Sequence, residues 1–301
     1  MKQTVYIFLM AVTTLLTHCG KGVVDIDGDA TYEPKLVIEG YLFPNTKVDN
    51  IRISRNFPLN REINVLEFPV ANAEVFLTDL EKDSVYPLEY NAGLISYEYN
   101  GHDLHIENGK KYRLQVAAKL DGRDLAASAV TSVPEKGFVI DRDKSRLAPM
   151  KYREKDADGE VKTYTIAYKP SPGTDFYALS IVALNASQNT FVEENPFGLK
   201  KEDIDDQLLD QLKYEASWAQ TSPERNDVAE IEILWFDVWF YGRYRAILYA
   251  GDVNFKYYFT THDAVQDIDG NLYEPRFNIT GDGIGVFGSA IADTVYFEVL
   301  R

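Results

Sequence analysis

Cysteine is nearly absent. Cys19 is the only one in the chain, so an internal disulfide is excluded. Histidine is scarce as well: His18, His102, His105 and His262 are all there are. His102 and His105 flank Asp103-Leu104; three apart on a strand they point to opposite faces and make a poor metal pair. No His-Glu-x-x-His, no Gly-x-Ser-x-Gly and no glycine-rich phosphate loop ahead of a helix occurs. Zinc-peptidase, α/β-hydrolase and nucleotide-binding chemistry therefore have no recognisable starting point. Basic residues are outnumbered, 31 Lys and Arg against 47 Asp and Glu, for a net charge of −16. Such a surface repels phosphate backbones, and without a basic stripe nucleic acid is excluded as a partner. Beyond the N-terminus no long uncharged apolar run exists. Ile231 to Ile247 is rich in aromatics but broken by Glu232, Asp237, Arg243 and Arg245.

What is present begins at Met1. Lys2 supplies a positive charge, and Val5 to Leu16 is almost uninterrupted apolar sequence. At about a dozen residues it is roughly half of a bilayer-spanning helix and has the order of a secretory signal. Cys19 follows at once. The tetrad Leu16-Thr17-His18-Cys19 resembles the lipobox of bacterial lipoproteins, with His18 where a small residue is usual. Residues 1–18 are thus read as a lipoprotein signal, Cys19 as the lipidated residue, and 19–33, rich in Gly and Asp, as a flexible tether. A signal peptide cleaved nearby, with Cys19 incidental, is the plainer alternative.

From Pro34 onwards the pattern is one of strands. Tyr (20) and Phe (16) are abundant and Met (3) is rare, a balance that suits pleated surfaces. Leu36 to Leu42, Asn50 to Arg55, Ala73 to Leu77, Tyr86 to Tyr90, Ile95 to Tyr99, Tyr112 to Val116 and Leu125 to Thr131 read as short strands. Asp121-Gly122 reads as a two-residue hairpin turn. The expected fold is mainly β: an immunoglobulin- or fibronectin-like sandwich over 34–134, then a second β-rich domain over 135–301 with one inserted helix near 199–214. In that insertion Ile204, Leu208, Leu209 and Leu212 form an apolar stripe, with acids clustered at its front end. After Pro223 strands are expected at Ala229 to Tyr241, Arg243 to Ala250, Asn254 to Thr261, Arg276 to Phe287 and Thr294 to Val299.

Two patterns bear on binding. Asp25-Ile-Asp27-Gly-Asp29, Asp156-Ala-Asp158-Gly-Glu160 and Asp267-Ile-Asp269-Gly-Asn271 repeat an acid–glycine spacing that calcium loops use. Asp267, Asp269 and Asn271 are the best of these weak candidates, yet position twelve counted from Asp267 is Asn278, not a bidentate Glu. Hairpin turns want the same residues, so no metal and no cofactor is expected. The other pattern is an aromatic run, Trp235, Phe236, Trp239, Phe240, Tyr241 and Tyr244, with Tyr249, Tyr257, Tyr258 and Phe259 after it. On a strand Trp235, Trp239 and Tyr241 share one face with Asp237. That face is either a sugar-stacking or protein-contact surface or the second side of a doubly packed sheet. No catalytic residues can be assigned.

Leu36-Val37-Ile38-Glu39-Gly40, Val70 to Val75, Gly109 to Val116, Thr131-Ser132-Val133-Pro134 and Asn278 to Gly288 together resemble the Bacteroidota lipoproteins grouped as domain of unknown function 4249. Where that family usually has two adjacent glycines near the end, Asp282 is inserted. The resemblance implies an outer-membrane lipoprotein, often encoded beside a TonB-dependent receptor and facing the cell exterior. Such a protein is expected to be an accessory that binds a nutrient ligand or the receptor without catalysing a reaction. A surface hydrolase of polysaccharide or peptide and a structural or adhesive surface protein are the alternatives.

Overall fold

Apolar–polar alternation acts first at the level of single strands. In the computed structural model, which describes residues 32–58, 61–225, 227–262 and 275–301, Tyr112, Leu114 and Val116 are buried while their sequence neighbours face out. The N-terminal strands are β1 (Leu36–Leu42), β2 (Arg52–Arg55), β3 (Glu74–Asp79), β4 (Ser84–Asn91), β5 (Ser96–Glu98), β6 (Lys111–Leu120) and β7 (Arg123–Ser132). The expected turn at Asp121-Gly122 joins β6 to β7, with φ of 49° and 79° at the two residues. Two left-handed residues in succession are what a two-residue hairpin matched to strand twist requires.

The chain continues through β8 (Val139–Ile140), β9 (Met150–Lys151), β10 (Tyr164–Lys169), β11 (Phe176–Ala183), α1 (Asp206–Leu212), β12 (Tyr214–Gln220), β13 (Ala229–Ile233), β14 (Gly242–Gly251), α2 (Val253–His262), β15 (Thr280–Gly281) and β16 (Gly283–Leu300). Among the described residues three sheets result, in the orders β15-β7-β6-β3-β4-β5, β13-β10-β8 and β12-β11-β14-β16-β1-β2, with β9 also paired to β16. The fold is mainly β and sandwich-like. Residues Pro34–Asn56 and Asn64–Arg301 form one compact unit. In the other unit, Met1–Glu33 with Phe57–Ile63, the Arg61 guanidinium lies 5.5 Å from the Phe57 ring centre.

Two apolar cores fill the larger unit. One holds Leu36, Ile38, Ile53, Val75, Leu77, Leu114, Val116 and Leu125, together with Phe287. The second joins Tyr164, Ile166 and Tyr168 to Tyr177, Leu179, Ile181, Tyr244, Leu248 and Phe297. The long strand β16 serves both. Its first half pairs in parallel with β1, Leu36 opposite Gly283 through Leu42 opposite Ser289, and its second half pairs antiparallel with β14. The N-terminal layers are therefore completed by residues from the end of the chain. Gly285 shows how tight that pairing is. Its φ is 111°, and a Cβ there would lie 2.1 Å from the Ile38 carbonyl oxygen. Asp282 tightens the same junction: its N–H donates to the Ala126 carbonyl (2.8 Å) and its carboxylate accepts from the Ala126 N–H (3.1 Å). Its carbonyl accepts from the Leu36 N–H (2.9 Å).

Four local expectations are corrected. Asn254 to Thr261 is not a strand but most of α2. Its aromatic and β-branched residues favour strands by propensity, but Asp252 caps the helix and packing holds it, as described below. The strand expected to reach Tyr241 stops at Ile233, and Trp235–Asp237 forms a 3₁₀ turn. There the Trp235 indole N–H donates to the Lys162 carbonyl (2.7 Å) and its ring meets Tyr152 edge-on at 5.0 Å, contacts that outweigh local alternation. Within 199–214 the α-helix covers only Asp206–Leu212, opened by the Asp205 carboxylate accepting from the Leu208 N–H (2.7 Å). Ile204 is fully buried and Leu208, Leu209 and Leu212 pack on the second core, so the apolar stripe faces inward; Tyr214–Gln220 then turns to strand. His102 and His105 lie in irregular backbone and line one cavity, so strand alternation does not separate them.

Candidate functional site

The register of the largest sheet decides what its two faces carry. Trp218, Ala178, Tyr249 and Ala292 stand in one row across β12, β11, β14 and β16, and Ala216, Ser180, Ile247 and Thr294 in the next. Residues in one row share a face. The intervening rows, with Leu179, Ile181, Leu248 and Val295, belong to the second core. The first face carries small and aromatic residues, and Trp218 and Tyr296 remain about half exposed, at 49% and 46%. One end of it is covered by α2.

The position of α2 follows from three residues. Gly251 ends β14 without a side chain, and a Cβ there would lie 2.6 Å from the Phe255 ring. Phe255 uses that space and meets Tyr41 (5.4 Å), Phe176 (6.1 Å), Tyr249 (6.2 Å) and Phe259 (6.0 Å). Asp252 is buried beneath the first turn. One carboxylate oxygen accepts from the Phe255 N–H (2.9 Å) and the Ser289 N–H (3.3 Å). The other accepts from the Thr131 hydroxyl (2.6 Å), which also lies 2.8 Å from the Ser289 hydroxyl. Burial pushes the Asp252 carboxyl up from its ordinary value, and these hydrogen bonds pull against that rise. One side chain thus ties α2 to β7 and β16.

Between α2 and the sheet lies a cleft of about 460 Å³, lined by Tyr41, Phe43, Ser180, Ala216, Tyr249, Phe255, Tyr258 and Phe259. That size is within the range of small-ligand sites. Ser180 and Ala216 form a floor of small residues; the rings form the walls. No charged side chain lines it. Burial, with Glu39 nearby, raises the Tyr41 hydroxyl, and burial raises that of Tyr249, so both stay neutral throughout the physiological range. The arrangement can stack on and bury an uncharged ligand. It offers no acid–base pair and no ligand set for a metal. A larger cavity of about 590 Å³ lies among loop residues that include Asn45, Tyr99, His102 and His105. Both histidines are exposed there, and among the described residues no group of three or more His, Cys, Asp or Glu is placed to hold a metal ion.

The aromatic candidates lie elsewhere. Trp239 is 7% exposed, donates its indole N–H to Glu215 (2.8 Å) and stacks on Phe197 at 5.3 Å. The Tyr241 hydroxyl donates to Glu194 (2.9 Å), and its ring meets Tyr152 at 6.5 Å, as that of Trp235 does at 5.0 Å. Trp235, Trp239 and Tyr241 are thus separated by the 3₁₀ turn, and their polar groups are engaged within the protein. Beside Trp239, burial and then the charge of Glu215 push Asp237 up to about 6, and burial raises Glu215. Asp156 of the second acid–glycine repeat closes a hairpin turn by accepting from the N–H groups of Asp158 and Glu160, both at 3.0 Å. Cys19, Asp267, Asp269 and Asn271 lie outside the described residues. The cleft residues Tyr249, Tyr258 and Phe259 were visible in the sequence as the tail of the aromatic run. Tyr41 and Phe43 gave no such signal, because only the β1–β16 pairing brings them there.

Among the described residues no helix is long and apolar enough to cross a membrane. A family model described as "Domain of unknown function (DUF4249)" matches residues 23–294. No curated protein matches the chain. Among solved structures, a cryo-EM reconstruction of native E. coli alpha-2-macroglobulin aligns at 11% identity and a TM-score of 0.19. The alignment covers 86% of this chain and 16% of that one. A similarity of that size carries no argument about fold or function.

Proposed function

The chain belongs to the DUF4249 family, and from that premise we propose that it is a lipid-anchored outer-membrane binding protein. In this reading Cys19 carries the lipid, residues 19–33 form the tether, and the folded part faces the cell exterior. It works as a non-catalytic accessory to a TonB-dependent receptor in nutrient capture, and the aromatic cleft takes the ligand. The observation that carries the binding reading is the cleft itself. It is built on four strands and a helix tied down by Asp252, and its lining holds aromatic rings and small side chains with no Asp, Glu or His. A pocket so composed gains affinity from stacking and apolar burial, at about 25 cal/mol per Å², and its polar groups are neutral hydroxyls without a charged partner in the lining.

The test uses the tagged full-length chain from native membranes. Mass spectrometry is expected to find an acylated Cys19 as the first residue; an unmodified Cys19, or a mature N-terminus beyond it, overturns the anchor. Co-purification is expected to yield a stoichiometric receptor. Ser180→Phe, which fills the cleft floor, is expected to abolish capture of an uncharged aromatic probe without altering the melting temperature. The hydrolase alternative has one observation in its favour, the raised carboxyls of Asp237 and Glu215 beside the exposed Phe236. Turnover of a glycan or peptide panel that disappears in Asp237→Asn would replace the binding reading.

A further inference from the structure

The sheets of this protein have seven edge strands among the described residues, and six are protected. β8, β9 and β15 are two residues long and β5 is three. β13 turns Glu230 and Glu232 outward. β2 carries Arg52 and Arg55 and is bridged at Ser54 to Pro69, with Ile51 beside it bridged to Tyr97. Shortness, charge and covering are the usual means of keeping an edge from pairing with another chain.

β12 uses none of them. It is seven residues long, contains no Pro, Lys or Arg, and has a single neighbour, β11. Its one charge, Glu215, is held beneath the sheet by the Trp239 indole. The Thr221 N–H donates to the Asp175 carbonyl and the Ala183 N–H to the Lys213 carbonyl, both at 2.9 Å. In an antiparallel pair inward and outward residues alternate, so Tyr214, Ala216, Trp218 and Gln220 direct their N–H and C=O groups out of the sheet. All four are exposed, Tyr214 at 54% and Trp218 at 49%.

We propose that this edge pairs antiparallel with β12 of a second copy of the chain, about a two-fold axis at Ser217. The strand is self-complementary in that register. All four outward residues of each copy find partners, giving about eight main-chain hydrogen bonds. Ala216 stands opposite Trp218 of the second copy, a small side chain against a large one, and Tyr214 stands opposite Gln220. Glu215 stands opposite Ala219, so no like charges meet. Because Ala216 also lines the aromatic cleft, Trp218 of the second copy extends the cleft wall. The interface does not depend on which ligand the cleft takes.

Sedimentation velocity on the full-length protein in detergent tests this, with a concentration-dependent dimer expected in the micromolar range. Ala216→Pro removes an outward N–H and leaves the inward bonds alone; Trp218→Lys adds a charge to the edge. Each is expected to weaken dimerisation at least about tenfold, or by 1.4 kcal/mol, at unchanged melting temperature. Ser217→Cys places two thiols on the axis. A non-hydrogen-bonded antiparallel pair has Cα atoms about 4.5 Å apart, within disulfide reach, so mild oxidation is expected to link two chains. Ala219→Cys, whose opposite residue is Glu215, is expected not to link. A monomer at all concentrations with no Ser217→Cys product overturns the proposal. So does a dimer indifferent to both edge substitutions, or native β12 found paired with a different protein.

Discussion

Asp252→Ala tests whether one buried side chain holds the cleft together. The substitution removes the cap of α2, at a cost of about 1 kcal/mol. It also leaves the Ser289 N–H without its acceptor and the Thr131 hydroxyl with only the Ser289 hydroxyl, both in a buried setting, which costs about 1–3 kcal/mol. Against this stands relief of the carboxyl's own desolvation, which already pushes Asp252 up from its ordinary value. A net loss of about 2 kcal/mol is expected, measured by urea unfolding. The effect should also be local: amide exchange in α2 rises by more than that in β6 and β7, and probe capture in the cleft falls. A double-mutant cycle isolates the pair. Thr131→Val alone is expected to cost about 1 kcal/mol, and the double variant about 1 kcal/mol less than the sum of the singles. Additivity within about 0.3 kcal/mol, or an Asp252→Ala variant with wild-type exchange in α2, would refute the reasoning.

Gly285→Ala forces a left-handed φ on an L-residue and drives a methyl into the Ile38 carbonyl, so a loss of about 4 kcal/mol or failure to fold is expected on expression and thermal melting. Asp237 predicts a pH signature. Its folded pKa, about 6, lies above its ordinary 3.8, so the folded state holds the extra proton and stability falls as pH rises through that window. The full shift corresponds to about 3 kcal/mol, and solvent screening at this half-buried site reduces it to about 1–2 kcal/mol; Asp237→Asn should flatten the slope between those pH values in urea titrations. Trp239→Phe leaves the Glu215 carboxylate without its indole donor and is expected to cost about 2 kcal/mol by the same assay.

Much of the strand inventory is legible locally. Tyr112, Leu114 and Val116 point inward because alternate residues on a strand must, and Asp121-Gly122 turns because Gly and Asp tolerate positive φ. The stripe Ile204, Leu208, Leu209 and Leu212 is likewise a property of its own spacing. Misreadings fall where a distant partner outbids the local preference. α2 is drawn from a strand-like run because Asp252 reaches Thr131 and Ser289, residues far away in sequence. The 3₁₀ turn at Trp235–Asp237 forms where the Trp235 indole finds the Lys162 carbonyl.

By itself, then, the sequence determined the family, the mainly β character and most strand positions. Each of these depends on residues a few places apart or on a pattern spread along the chain. Only the tertiary structure decided that β16 would pair with β1, that Gly251 would admit Phe255, and that Tyr41 and Phe43 would meet Tyr258 and Phe259 around one cleft. Those outcomes rest on which strands become neighbours. Alternation says which face of a strand is buried, but it is silent about what the strand is buried against.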